Sequence, residues 1–139
     1  MALLPLVAAT PRITGATSGV STASRRGDGA IRLLFRGNTQ SGSRVDRITA
    51  VNMAPQNASV LNYSLRLYIT DTNGNNPRLF REQIIAPYTV ADTLYPSEYV
   101  EWLFPSGLVL GTNSSIYVGQ GTAGAIYTTH WICEGSDFQ

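Results

Sequence analysis

The sequence holds one histidine and one cysteine, and they stand three residues apart in "TTHWICEG", at His130 and Cys133. A metal centre or a thiolate–imidazole pair needs both side chains on one side of the backbone. Along a strand successive side chains alternate between faces, so residues three apart point in opposite directions. The expectation is a buried thiol at Cys133 behaving as a small hydrophobe, and a polar-face or interface histidine at His130. Acid–base work by paired carboxylates could draw on Asp46, Glu82, Glu98, Glu101 and Asp137, yet no spacing forces any two of them together, and Glu98 and Glu101 fall on opposite faces of a strand. There is no G-x-S-x-G string to raise a serine nucleophile. No catalytic residue, metal ligand or cofactor is therefore assigned, and an enzyme is not expected.

Other strings that resemble binding motifs dissolve in their context. "GDG" and "GQGTAG" lack the lysine of a phosphate loop, and the second joins two strands rather than opening a helix. N-x-S occurs at Asn57, Asn62 and Asn113, with Asn62 inside a strand pattern. Aromatic residues on strands serve chiefly as core or cross-strand partners. If a sugar-stacking groove exists, Tyr88, Tyr95 and Tyr99 of the loop "PYTVADTLYPSEY" are its best candidates.

Composition narrows the partners. Charged residues make up only 14% of the 139-residue chain, against about 25% in typical domains. All ten basic residues are arginine, opposed by nine acids for a net charge of +1. Arginine suits ordered, bidentate contacts more than a mobile cationic coat. Nucleic-acid binding is not expected unless the arginines converge in space. A single cysteine excludes an intrachain disulfide, and no run approaches the 18 apolar residues of a membrane helix. The opening "MALLPLVAAT" mimics a short signal-peptide core, but it has no positive flank and Pro5 interrupts it, so export is not expected.

The elements that would position these residues follow from period and punctuation. Residues 1–29, rich in Thr, Ser, Gly and Ala, read as an extended N-terminal arm, or an edge strand with linker, ahead of a domain at 30–139. Beyond residue 30 the period is two. Strands are expected at 30–37, 44–52, 60–70, 78–85, 98–104, 107–111, 115–121 and 125–133, with Leu61, Tyr63, Leu65, Leu67 and Ile69 sharing one face of the third. "DTNGNN" predicts a hairpin turn between the third and fourth. About eight short strands with Gly, Pro and Asn turns predict an all-β, single-domain antiparallel β-sandwich of jelly-roll-like type.

In that frame "SGSRVDRITAVN" carries the densest charge of the chain. Arg44 and Asp46 fall on one face of a strand with Ile48, while Val45 falls on the other. They are expected to form a structural charge pair that fixes sheet register, worth about 0.2–1 kcal/mol.

The runs "GSRVDRITAVN", "LRLYITD" and "PSGLVLGTNSSIYVGQGTAGAIYTTHW", with the ending "GSDF", resemble a group of short phage and prophage virion proteins over roughly residues 30–138. The resemblance implies a small β-sandwich capsid decoration (cement) protein of tailed-phage heads. Such a protein would be non-enzymatic, commonly trimeric, assembled in the host cytoplasm and seated on the lattice of the major capsid protein, with neither nucleic acid nor membrane as a partner. A glycan-binding surface module, or a tail or neck component, are the alternatives. On the decoration reading the arm makes the capsid or neighbour contacts, with Leu3, Leu4, Leu6 and Val7 as apolar anchors and Arg12, Arg25 and Arg26 as pairing groups.

Overall fold

The computed structural model describes residues 8–18, 24–55, 58–90, 99–121 and 127–138, and no helix occurs among them. Ten strands follow in order: β1 (Ala8–Ser18), β2 (Arg32–Arg36), β3 (Ser43–Asn52), β4 (Ser59–Val60), β5 (Tyr63–Thr70), β6 (Arg78–Ile85), β7 (Tyr88–Thr89), β8 (Tyr99–Leu110), β9 (Ser115–Gly121) and β10 (Thr129–Phe138).

Their pairing is nested. β5 pairs with β6 across the Asn-Gly turn, and outside that hairpin β4 pairs with β7, β3 with β8, β2 with β9 and β1 with β10, all antiparallel. The chain is thus one long ribbon of paired strands, wound so that β10 also meets β3 and β9 meets β5. The result is two four-stranded sheets, ordered β1-β10-β3-β8 and β2-β9-β5-β6, with β4-β7 as a short two-stranded link. This is the double-sheet jelly roll expected from the strand spacing.

Alternation explains the core. Tyr63, Leu65 and Leu67 of β5 and Ile116 and Val118 of β9 join Val45, Ile48 and Ala50 of β3 and Trp131 and Cys133 of β10 in one buried cluster fed by both sheets. Trp131 stacks on Trp102 of β8 with ring centroids 5.8 Å apart. Three of the polar side chains carried into this core are satisfied in series. Trp131 Nε1 donates to Ser18 Oγ at 2.9 Å, Ser18 Oγ donates to Gln120 Oε1 at 2.8 Å, and Gln120 Nε2 donates to the Tyr127 carbonyl at 2.8 Å. A buried donor left unpaired costs about 1–3 kcal/mol, so this chain makes a fully buried Gln120 tolerable between the sheets.

Four expectations need a choice between alternatives or a correction. Residues 8–18 take the edge-strand alternative, because β1 pairs with β10 from Ala8 opposite Phe138 to Ser18 opposite Thr129 and forms a sheet edge. Ala16 packs against the core and Thr14 Oγ1 donates to the Leu34 carbonyl at 2.6 Å, tying β1 to the other sheet. The expected strands at 98–104 and 107–111 are one strand, β8, since "PSG" is absorbed as an irregularity in its pairing with β3 instead of a turn. The strand expected at 60–70 breaks at residues 61 and 62, which leaves Leu61 exposed.

The fourth correction concerns β3. Val45, Ile48 and Ala50 are all buried, although strict alternation puts Val45 opposite to the other two. Asp46 is the extra residue against β10, where Val45 and Arg47 pair with the consecutive Gly135 and Glu134; on the β8 side the same two pair with Leu108 and Leu103, so Asp46 faces the irregular segment 104–107. A bulge of this kind inserts one residue and shifts the phase of everything beyond it. Arg44 and Asp46 do form the expected ion pair, 3.0 Å apart, and it sits on the bulge. Gly107 of β8 has φ +75°, and a Cβ there would strike the Arg44 side chain, so the glycine makes room for the pair.

Candidate functional site

The two sheets treat their outer faces differently. On the second sheet the outward residues of β5, Ser64, Arg66, Tyr68 and Thr70, are as buried as those pointing inward. Against Tyr68 and the Arg66–Glu82 pair lies a strap, residues 24–29 of the β1–β2 connection. Tyr68 Oη donates to the Ser24 carbonyl, and Gly27, at φ +83°, lies against Pro77 and the Tyr68 ring, where a Cβ would come within 2.5 Å of the proline.

One carboxylate holds the strap. Glu82 of β6 takes two hydrogen bonds from Arg25, at 2.9 and 3.2 Å, and one from Arg66, at 2.6 Å. The Arg25 and then the Arg66 hydrogen bonds hold the Glu82 carboxyl below its ordinary range. Gly119 stands opposite Arg66 on β9, and a Cβ at Gly121 would collide with the Arg66 guanidinium. The "GQG" string is therefore a pair of flat rungs that lets an arginine lie down, with Gln120 between them turned into the core.

The outer face of the first sheet carries no such cover among the described residues. Register sets its rows: Thr17, His130, Val51 and Tyr99, then Gly15, Ile132, Thr49 and Glu101, then Ile13, Glu134, Arg47 and Leu103. Ile13 is 71% exposed, Leu103 60%, Tyr99 57% and Ile132 49%, with Val109 at 64% farther along β8. At the centre Arg47 pairs with Glu134 and lies 3.7 Å from Glu101. Hydrogen bonding to Arg47 lowers the Glu134 pKa. The face is thus a flat apolar patch around an ion triad with one carboxylate in excess. Exposed apolar side chains grouped on one face mark association surfaces.

The residues picked out from sequence are scattered by this arrangement. Arg12 turns inward, its guanidinium 3.9 Å from the centre of the Phe35 ring, hydrogen-bonded to the Arg36 carbonyl and 3.5 Å from Asp137. Arg25 is engaged by Glu82, and Arg26 is exposed on the strap. Two of the three expected arm arginines thus pin the chain to itself. Leu3, Leu4, Leu6 and Val7 lie outside the described residues, as does Tyr95. Tyr88 packs half-buried against the core and Tyr99 stands on the open face, so no stacking groove is assembled from the expected tyrosines among the described residues. His130 is exposed and Cys133 is buried on the opposite face, with the thiol pushed up to about 12 by burial.

The open face itself escaped the sequence reading. Its signal is present in "EWL" and "HWICE", where both alternating sets contain apolar residues, which is one set more than a single core needs. The "GSDF" ending has a local job: Ser43 Oγ donates to Asp137 at 2.6 Å, and Ser41 Oγ donates to the Phe138 carbonyl at 2.5 Å, which ties β10 to the β2–β3 turn. Among the described residues no group of three His, Cys, Asp or Glu converges, and no helix is long and apolar enough to cross a membrane. Set beside protein-family models, curated proteins and solved structures, the chain matches none of them.

Proposed function

We propose that the chain is a non-enzymatic structural protein of a virion, a capsid decoration protein that seats as a homo-oligomer, a trimer, on the major capsid protein lattice of a phage head and stabilises it. The observation that carries the reading is the open apolar face of the first sheet on a module whose other face is covered along β5 by its own chain. A face built in this way is made to be covered on assembly. Double-sheet jelly rolls recur in viral capsid and lectin domains, which makes the architecture compatible with the proposal without selecting it.

Stabilisation would work by linkage, because a protein that binds only the assembled shell raises the free energy of taking that shell apart. Several copies joined together would convert weak single contacts into firm attachment through effective concentration. Assembly would take place in the host cytoplasm and the mature location would be the head surface, without nucleic acid or membrane as a partner.

The test is location and copy number in particles of the encoding phage, by electron microscopy and quantitative gel. Copies distributed over the head in the hundreds, with heat resistance lost in particles lacking the protein, are expected. A dozen or fewer copies, confined to neck or tail, would overturn the decoration role.

A further inference from the structure

We infer that the open face of the first sheet is the seat of a second copy of this chain, which presents the arginine-bearing edge of its second sheet, so that copies associate head to tail. The inference deepens the proposed function by naming the occupant of the same face, and it rests on that reading only in taking the face for an association surface.

Charge divides between the two sheets. Among the described residues Arg12, Arg44 and Arg47 lie on the first sheet against four acids, Asp46, Glu101, Glu134 and Asp137. The remaining seven arginines lie on the second sheet and its strap, with three acids, Asp28, Asp71 and Glu82, on those elements and their turn. Glu82 is consumed by Arg25 and Arg66. That leaves Arg26, Arg32, Arg36, Arg78 and Arg81 with no carboxylate partner among the described residues, all of them exposed.

Two of these five share β6, the free edge of the second sheet, with Ile84, which is 61% exposed. The Arg81 guanidinium lies 5.5 Å from the Phe80 ring centre and 5.9 Å from that of Phe104, held up by aromatic faces in place of an acid. A sheet edge that carries an exposed isoleucine and two arginines without a carboxylate partner among the described residues is the complement of an apolar face centred on a triad with one excess carboxylate. Electrostatic complementarity of this kind sets partner and orientation.

Two alternatives within the chain are weaker. Packing the open face against its own two-fold copy would set one excess carboxylate against another. It would also use one patch per copy. Four strands about 4.8 Å apart and rows about 6.6 Å apart give a face on the order of 500 Å², below the roughly 800 Å² per partner of a stable isolated complex. A closed head-to-tail ring engages both the face and the β6 edge of every copy, roughly doubling the area buried per chain over two smaller junctions. Such heterologous contacts close into rings when the rotation allows.

Sedimentation equilibrium of the purified chain from about 1 μM to about 1 mM tests this without any particle, so its outcome is independent of where the protein resides. Wild-type chain is expected to associate, less tightly at high salt. Glu101→Arg and Arg81→Glu should each weaken association roughly tenfold or more, with the double variant recovering it. A mixture of the two single variants should likewise recover association, since the unchanged face of one variant takes the unchanged edge of the other and the two substituted sites pair with each other. A monomer throughout the range, or single variants that associate like wild type, would overturn the inference. Loss in both singles without recovery in the double would remove β6 as the donor edge. A monomer that binds single-stranded DNA and loses it on Arg81→Glu would overturn the inference in favour of a polyanion as the arginines' partner.

Discussion

The two outer faces of this sandwich start from similar raw material and end in opposite states. Each has a charged centre built around an arginine shared with glutamate: Arg66 with Glu82 on one, Arg47 with Glu134 on the other. On the second sheet the chain folds a strap over that centre, so Arg66 and Tyr68 are buried and Glu82 takes hydrogen bonds from two sides. On the first sheet the triad stays at the surface among exposed Ile13, Leu103 and Ile132. Stability should therefore be concentrated on the covered face, and association on the bare one.

The largest expected effect tests that division directly. Tyr68→Ala removes a buried ring from beneath the strap and should cost about 3–4 kcal/mol in urea unfolding, whereas Tyr99→Ala on the bare face should stay within about 0.5 kcal/mol. Equal losses at the two sites would erase the contrast.

Next in size is the latch. Glu82→Gln leaves the buried Arg66 short of its carboxylate and should cost about 2–3 kcal/mol, with amide exchange accelerated at residues 24–29. Ser18→Ala, which leaves Trp131 Nε1 and Gln120 Oε1 without their shared partner, should cost about 2 kcal/mol without altering exchange in the strap.

Acid should separate the two centres as well. Because the folded Glu82 carboxyl titrates below its ordinary value, its contribution is fully present above that value, about 4.3 to 4.5. It is lost as the pH falls through the lowered, folded one. A stability profile between neutral pH and about pH 3 should decline on that limb, and the decline should be shallower in Glu82→Gln. Glu134→Gln, on the exposed triad, should leave the limb nearly unchanged because solvent screens that pair. The smallest stability effect belongs to Leu103→Asn, within about 0.5 kcal/mol, yet this variant should lower the tendency of the chain to self-associate in sedimentation.

Strand period and turn chemistry made the architecture readable in advance, as at Tyr63, Leu65 and Leu67 or at the Asn-Gly turn. They also separated His130 from Cys133. Three things were hidden. The Asp46 bulge breaks alternation within a strand, and a pattern of period two carries no mark of the skipped residue. The strap reads as a Ser-Gly-Asp linker because what holds it, Glu82 and Tyr68, lies far along the chain. The open face required knowing that Trp131 and Cys133 face the core while His130, Ile132 and Glu134 do not, a choice settled only once β10 lies between β1 and β3.

Nested pairing also dictates how the chain must find its shape. The β5–β6 hairpin closes across a short turn, but each pair outward from it joins residues farther apart in sequence, until β1 meets β10 near the two extremes of the described chain. Loop-closure entropy then favours zipping from the inner hairpin outward, with relative contact order placing the protein among the slow, all-β folders. β1, Ser18 and the inward-turned Arg12 would be the last to dock. Until they do, the edge of β10 stays unpaired, so the interval before β1 closes is when a newly made chain is most prone to pair with another.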